Sequence, residues 1–317
     1  MKRFILKLVF LPERLVPWAK RTGLARFRLV RGIIDLLLFP ADWRIVSNAI
    51  LKQTGHRPNW FKQPEFSEWI SRSKLTNRRR IHSIWADKLA VRDWLEKHGF
   101  KQYLAKLLWR GFDLNDARKL ALPAQFVIKA NHTSGGVIVV KDAAKFDWDD
   151  AVEKTKTWLL TDYAAASAEW QYRWIRPELF IEEYLENPDG TLFDFKVFTF
   201  HGEPKMIRVV DRPGTHCECC YDTKWNRLDW KVTYPLLPFD VAKPKTLDKM
   251  LQFAQSVAQR TPHLRVDCYD VTGRLVFGEL TLHEDGVVRH SITPECEAQM
   301  TKWLWPEPTN VNRLHKQ

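Results

Sequence analysis

The 317-residue chain lacks a long hydrophobic run and lacks an even set of cysteines, and each absence narrows its class. The longest uncharged apolar stretch near the N-terminus, Leu36 to Ala41, falls far short of the roughly 20 residues that cross a bilayer. The opening MKRFILKLVFLPERLVPWAKR is broken by Lys7 and Arg14 and leads to no small-residue cleavage site, so it reads as no signal peptide. Five cysteines, with Cys217, Cys219 and Cys220 crowded together and Cys268 and Cys296 apart, suggest no secreted disulfide framework and fit a reducing cytoplasm. Internal repeats and low-complexity tracts are missing too. No GxxxxGK[ST] spacing is present, which excludes a P-loop, and no nucleophile elbow supports a Ser-His-Asp hydrolase. His216-Cys-Glu-Cys-Cys220 has no second knuckle of the kind structural zinc uses, and reads as a cysteine-rich loop.

What is present is core material and an uneven charge. Hydrophobic residues make up 45% and aromatic residues 13%, enough for one large domain or two smaller ones. The net charge of +12 sits in the first quarter: residues 1–80 hold 18 Lys/Arg against 5 Asp/Glu, while the rest hold 32 against 33. Residues 1–80 therefore read as a basic module suited to something anionic, and the remainder as a neutral body.

Within the module, short amphipathic helices are expected between breaks at Pro12, Pro17, Pro40, Pro58 and Pro64, with Trp18, Trp43, Trp60 and Trp69 as apolar anchors. From Ile84 the pattern is helical, with Val91, Trp94, Leu95 and His98 at helical spacing and Gly99 as a stop. Strand-like Gln125–Ala130 and Val137–Val140 flank Asn-His-Thr-Ser-Gly-Gly. Asp147 can cap a helix carrying Trp148, Val152, Thr155 and Leu159, and Leu179-Phe-Ile181 runs into Glu182-Glu-Tyr-Leu185. Leu192–Phe200 alternates and returns through Pro204–Val210, as in an antiparallel sheet with one buried face. A helix through Leu247, Met250, Leu251, Ala254, Val257 and Ala258 ends at Thr261-Pro262.

The last expected hairpin, residues 265–281, carries the sharpest chemistry. Opposed residues of an antiparallel pair share a face, so Asp267 meets Glu279 when opposed numbers sum to 546. That register predicts a three-residue loop, Thr272-Gly273-Arg274, between Val271 and Leu275, and sets Arg265 opposite Thr281. A two-residue Thr-Gly turn would instead shift the register and send Glu279 to the other face. Two facing carboxylates suit Mg2+, which takes carboxylates together with phosphates and water, and the neighbouring guanidinium suits phosphate oxygens. Lys129, set among Phe126, Val127 and Ile128 just ahead of Ser134, Gly135 and Gly136, sits oddly for a solvated lysine and sensibly for a phosphate ligand.

In order along the chain, Asp87-Lys88, Val-Ile-Lys129 before a glycine loop, Glu182-Glu-Tyr-Leu185, Arg265-Val-Asp267 and Gly-Glu279-Leu-Thr281 resemble the ATP-grasp superfamily. Trp85-Ala-Asp-Lys-Leu-Ala-Val-Arg92, Glu169-Trp-Gln-Tyr172, Asp194-Phe-Lys-Val-Phe198 and Phe277-Gly-Glu-Leu-Thr281 narrow the resemblance to the branch named after the teichuronopeptide biosynthesis protein, found with bacterial surface-polysaccharide genes. The resemblance spans roughly residues 80–285 and implies an α+β fold, two subdomains gripping ATP, behind the basic helical module. The implied division is 1–80 for that module, 81–190 for the first subdomain with glycine loop and hinge, 191–305 for the second with the metal hairpin, and 306–317 for a tail.

The resemblance further implies roles. Lys88, Lys129 and Lys196 would face the phosphates and Ser134, Gly135 and Gly136 would close over them. Glu182, Glu183, Tyr184 and Leu185 would form the adenine hinge, with Glu186 or Asp189 on the ribose. Asp267 and Glu279, joined by Thr281 where the superfamily usually has Asn, would hold Mg2+, and Arg265 would stabilise the transferring phosphoryl group. The implied activity is an ADP-forming carboxylate–amine ligase acting through an acylphosphate. Its substrates would be a sugar acid or amino acid and an amine, in making or decorating a surface glycan. Residues 1–80 would hold an anionic glycan or an anionic membrane at the inner face. A sugar kinase or glycosyltransferase in the same pathway is the rival that keeps the fold. A nucleic-acid-binding module, suggested by charge and 15 tryptophans, leaves Asp267 and Glu279 unexplained.

Overall fold

The computed structural model describes residues 15–20, 22–211, 214–259, 261–284 and 292–307. Pro12 and all but the first two residues of the 306–317 tail lie outside them. Two units are distinguished: one holds the described parts of Met1–Pro58 and Ser71–Glu186, the other those of Asn59–Ile70, Asn187–Glu284 and Val288–Gln317.

After helical residues 15–20 and a 3-10 turn (Leu24–Arg26), the first unit continues with helix α1 (Arg28–Thr54), followed by α2 (Phe66–Thr76), whose first residues count with the second unit. The expected break at Pro40 does not occur. Pro40 lies inside the 27 residues of α1, on an exposed stretch where water can satisfy the Leu36 carbonyl that proline leaves without a donor. Pro17 also lies within helical residues, whereas Pro58 and Pro64 separate α1 from α2 as read from the sequence.

Helices α3 (Arg80–Ala86) and α4 (Ala90–Lys97) follow, then strand β1 (Leu107–Gly111), which the sequence reading missed, and the single turn α5 (Leu114–Ala117). Strands β2 (Phe126–Ala130) and β3 (Val137–Val140) pair across the glycine loop. After α6 (Trp148–Leu160) and α7 (Tyr163–Ser167), β4 (Leu179–Glu183) inserts between β1 and β2, giving an antiparallel sheet of order β1-β4-β2-β3. Asp147 Oδ1 accepts from Asp150 N at 3.0 Å, so the expected cap of α6 is made. Phe126, Ile128, Leu179 and Ile181 pack beneath α5 and α6 on Leu114, Val152 and Ala151.

The second unit is built on six antiparallel strands: β5 (Phe193–Phe200), β6 (Glu203–Asp211), β7 (Glu218–Tyr221), β8 (Arg227–Leu228), β9 (His263–Val271) and β10 (Arg274–Thr281). Their order is β10-β9-β5-β6-β7-β8. Helix α8 (Leu247–Ala258) precedes β9, and α9 (Pro294–Leu304) brings Cys296, Met300 and Leu304 onto Phe66, Phe198, Phe200 and Met206. Two expectations need correction. Strand β5 is buried on both faces, because its polar alternates Asp194 and Lys196 answer one another instead of water. Cys219 and Cys220 belong to buried strand β7 and not to a loop.

Candidate active site

The functional side chains of the first unit gather around one strand end. Asp87 Oδ1 accepts from the backbone N–H of Leu89 at 2.9 Å and Ala90 at 3.1 Å and from Asn131 Nδ2 at 3.0 Å, tying the start of α4 to the residue after β2. Burial pushes the Asp87 carboxyl pKa up, against the pull of those hydrogen bonds. Lys88 donates from its backbone to Asn131 O at 3.0 Å and from Nζ to Thr133 O at 2.7 Å, so it is gathered onto the glycine loop. In that loop Ser134 and Gly135 are exposed, and the buried Thr133 Oγ1 makes no hydrogen bond. Gly136 is closely packed: a Cβ there would meet Thr133 Oγ1 at 2.6 Å, so a larger residue would force the threonine side chain to shift. His132 is buried, and burial lowers its pKa to about 4, so it is neutral at physiological pH.

Lys129 is held by an ion pair with the Glu182 carboxylate, which also has Arg92 at 3.5 Å. Glu182 is inside the ladder, opposite Leu107 on one side and Val127 on the other. What Glu182 presents is its side chain. Glu183 is likewise engaged, its N–H to Lys106 O at 2.9 Å and its Oε1 to Lys106 N at 2.9 Å. The ladder ends there, and Tyr184 and Leu185 follow outside it. Glu186 accepts from Tyr184 OH at 3.0 Å, and Asp189 holds Thr191 in its own turn.

The second unit assembles its residues as a row across a sheet. Glu279 lies opposite Asp267, Asp267 opposite Lys196, and Lys196 opposite Arg208, so four strands contribute one charged residue each to one face. Asp194, two residues before Lys196, and Arg265, two before Asp267, join that face. Arg265 grips Asp267 twice, Nε to Oδ1 at 2.6 Å and Nη2 to Oδ2 at 2.8 Å, and reaches Glu279 Oε1 at 3.0 Å and Glu284 Oε1 at 3.1 Å. Lys196 donates to Asp267 and lies 2.7 Å from Asp194 Oδ2. Arg208 joins Glu284 at 2.7 Å to Glu218 at 2.6 Å. Thr281 Oγ1 donates to Glu279 Oε1 at 3.1 Å.

Burial works to raise the Asp267 pKa, yet Arg265 and Lys196 outweigh it and hold the carboxyl below its ordinary range. Burial likewise works against the Arg265 charge, and Asp267, Glu284 and Glu279 overcome it, keeping the guanidinium firmly protonated.

The hairpin reaches the expected facing pairs by a different route. Arg274 pairs with Val271, leaving a two-residue turn, Thr272-Gly273, with φ of 53° and 81°. The left-handed backbone at both positions is the primed turn that suits twisted strands. The register then shifts between Phe277 and Glu279, with Gly278 as the extra residue of a bulge. Four opposed pairs sum to 545 before the shift and three to 546 after it, so Glu279 still faces Asp267 and Thr281 still faces Arg265. The three-residue loop was wrong and the shared face stands, because the bulge supplies the residue that the shorter turn removes.

The family described as TupA-like ATPgrasp matches residues 68–300. The chain belongs to that family. Its fold is accordingly the α+β ATP-grasp fold, behind an N-terminal helical region. No curated protein matches the sequence. Among solved structures the chain is similar to a D-alanine–D-alanine ligase from Bacillus anthracis, with 17% identity, 70% of this chain and 65% of that one covered and a TM-score of 0.42. It is also similar to an L-amino acid ligase from Bacillus licheniformis, with 12% identity, 78% and 57% coverage and a TM-score of 0.45. The chain thus spans 65% and 57% of the lengths of these two proteins.

The fit of an ATP-grasp nucleotide metal turns on two facing carboxylates of adjacent strands, the buried Asp267 and the half-buried Glu279. They belong to a set with Lys196, Arg208, Arg265, Asp194, Glu218 and Glu284, buried charges joined to one another by ion pairs. Among the described residues no three His, Cys, Asp or Glu side chains converge on a metal position. The donors fit Mg2+, which two carboxylates hold while substrate phosphates and water complete the shell, and they do not fit a closed structural metal.

Sequence reasoning missed Asp194, Arg208, Glu218 and Glu284 as members of this set. Asp194 and Lys196 share a face by alternation, a signal that was available. Arg208 and Glu218 become neighbours only through strand order, and Glu284 lies beyond the hairpin where no parity reaches it.

Proposed function

We propose that the chain is an ATP-dependent carboxylate–amine ligase with residues 81–190 and 191–305 as the two subdomains of its grasp. The observation that carries this reading is the buried charged row centred on Asp267, with Glu279 facing it from the next strand, in a TupA-like ATP-grasp chain. Asp267 and Glu279 would hold Mg2+, with Thr281 orienting Glu279 through its hydroxyl, and the bound ion supplies positive charge to the nucleotide phosphates. Lys88 and Lys129 would bind phosphate oxygens beneath Ser134, Gly135 and Gly136, and Lys196 would face the same phosphates. Adenine would meet backbone at Tyr184 and Leu185, where the β4 ladder has ended, next to Glu182 and Glu183. Arg265, fixed by Asp267, would direct a guanidinium N–H at the transferring phosphoryl group.

In the proposed reaction a carboxylate oxygen attacks the γ-phosphorus of ATP and the bond to the β-phosphate oxygen breaks, giving an acylphosphate and ADP. An amine then attacks the acyl carbon, the C–O bond to phosphate breaks, and amide, phosphate and one proton are released. The carboxylate is proposed to be a sugar acid or an amino acid in bacterial surface-polysaccharide biosynthesis. Work at the cytoplasmic side of the membrane fits the basic residues 1–80, which are proposed to engage an anionic glycan or membrane. No helix among the described residues is long and apolar enough to cross a membrane.

The test is ADP release across a panel of uronic acids and amino acids, with hydroxylamine present and Asp267→Asn as the blank. An ATP-dependent hydroxamate supports the ligase. Turnover without hydroxamate points instead to a sugar kinase, because only an acylphosphate traps hydroxylamine.

A further inference from the structure

Helix α1 presents apolar residues on both sides. Ile34 and Leu38 turn inward onto Val16, Ala19 and Trp174, as the packed side of a surface helix should. The other side carries Leu29, Ile33, Leu36 and Leu37, exposed by 51 to 76%, followed by Pro40 and Trp43. At 100° per residue these six lie within about 120° of arc, and from Leu29 to Trp43 they run about 21 Å along the axis. Helices apolar all round are ordinarily buried, so this stripe is the feature of the first unit that folding leaves unexplained.

The charges around it say what it meets. Arg26, Arg28, Arg44, Lys52 and Arg57 are exposed in the same segment. The only acids among described residues 15–58 are Asp35 and Asp42. Both are engaged: Arg173 donates to Asp35 at 2.9 Å and to Asp42 at 2.8 Å, Trp174 Nε1 donates to Asp35 at 3.0 Å, and Arg78 lies 2.6 Å from Asp42. Those contacts leave the exposed part of the segment apolar and cationic. A second copy of the same face would bring like charges together, whereas an anionic bilayer offers phosphates to the arginines and acyl chains to the leucines.

We infer that the Leu29–Trp43 side of α1 is an interfacial membrane-binding surface, lying in the plane of an anionic bilayer with its apolar stripe among the acyl chains. It selects the membrane over the glycan as the anionic partner proposed above for residues 1–80, and rests on that reading alone.

The experiment is sedimentation of the full chain with vesicles of phosphatidylglycerol and phosphatidylcholine, or of phosphatidylcholine alone, for the wild type and for a Leu29→Glu, Leu36→Glu double variant. The wild type is expected to partition onto anionic vesicles, more weakly as salt rises, and the double variant at least about tenfold less. An unchanged melting temperature in the variant, whose changed positions are solvent-facing, establishes that folding is not the cause. Wild-type chain that stays in the supernatant, or a variant that binds equally well, overturns the inference. So does a concentration-dependent dimer in sedimentation velocity that the variant abolishes, since it assigns the face to a second copy. The vesicle assay needs no ATP, and turnover of soluble substrates is expected to be unchanged by the double variant. Failure here and failure of the ligase reading are therefore separate results.

Discussion

The two units gather their polar residues in opposite ways. In the first, Lys88, Lys129 and the glycine loop meet at a strand end, with Ser134 and Gly135 exposed, Lys88 Nζ on Thr133 O and Lys129 on the Glu182 carboxylate. In the second, Asp267 is gripped by Arg265 and Lys196 at once and every neighbour in the row is itself held, across four adjacent strands. Loops and strand ends can adjust around a phosphate chain, while a row fixed by a ladder cannot. The comparison teaches that the first set is suited to adaptable binding and the second to preorganised charge.

The hardest blow to that division would fall on the row. Asp267→Asn removes one of two proposed metal ligands and the carboxylate that orients Arg265, so ATP-dependent turnover is expected to drop on the order of 10³-fold, followed as ADP release. Activity within about tenfold of wild type would mean that the row is structural only. Lys129→Ala is expected to cost about 10²-fold, mostly as a raised KM for ATP, with a melting temperature close to wild type because Glu182 keeps Arg92 nearby. A large fall in melting temperature with KM unchanged would reverse the contrast and make the first set the structural one.

How much of this was legible depended on the range of each signal. The facing of the two hairpin strands rests on a two-residue turn and a bulge that parity did not predict, whereas the alternation that puts Arg265 with Asp267, and Glu279 with Thr281, on one face of each strand was readable because it is local. The β2 and β3 strands and the cap at Asp147 were readable for the same reason. Continuation of α1 through Pro40 was not, since proline signals a break whose penalty depends on whether the freed carbonyl meets water. Strand β1 was missed because Leu107-Leu-Trp-Arg-Gly111 has no clean alternation. The opposition of Lys196 to both Asp267 and Arg208 follows from strand order, which no single stretch of sequence encodes.

Two smaller effects test the hairpin that ends the row. Gly278→Val puts a branched side chain where a Cβ would already lie 3.1 Å from Asp267 O and 3.2 Å from the Tyr269 ring, so a loss of about 1–2 kcal/mol is expected in urea unfolding. Stability equal to wild type would show that the bulge does not depend on glycine. The smallest change is expected at the turn. Thr272 holds φ of 53°, a left-handed conformation that a β-branched residue adopts at a cost and that asparagine tolerates, and Gly273 already supplies the second residue of an Asn-Gly primed turn. Thr272→Asn should therefore raise unfolding stability by about 0.5–1 kcal/mol, read from the urea midpoint at constant slope. Turnover should not move, because the turn lies at the far end of the ladder from Asp267 and Glu279, with the bulge between them. A gain in stability accompanied by lost activity would mean that turn and bulge are set together, and that the position of Glu279 depends on both.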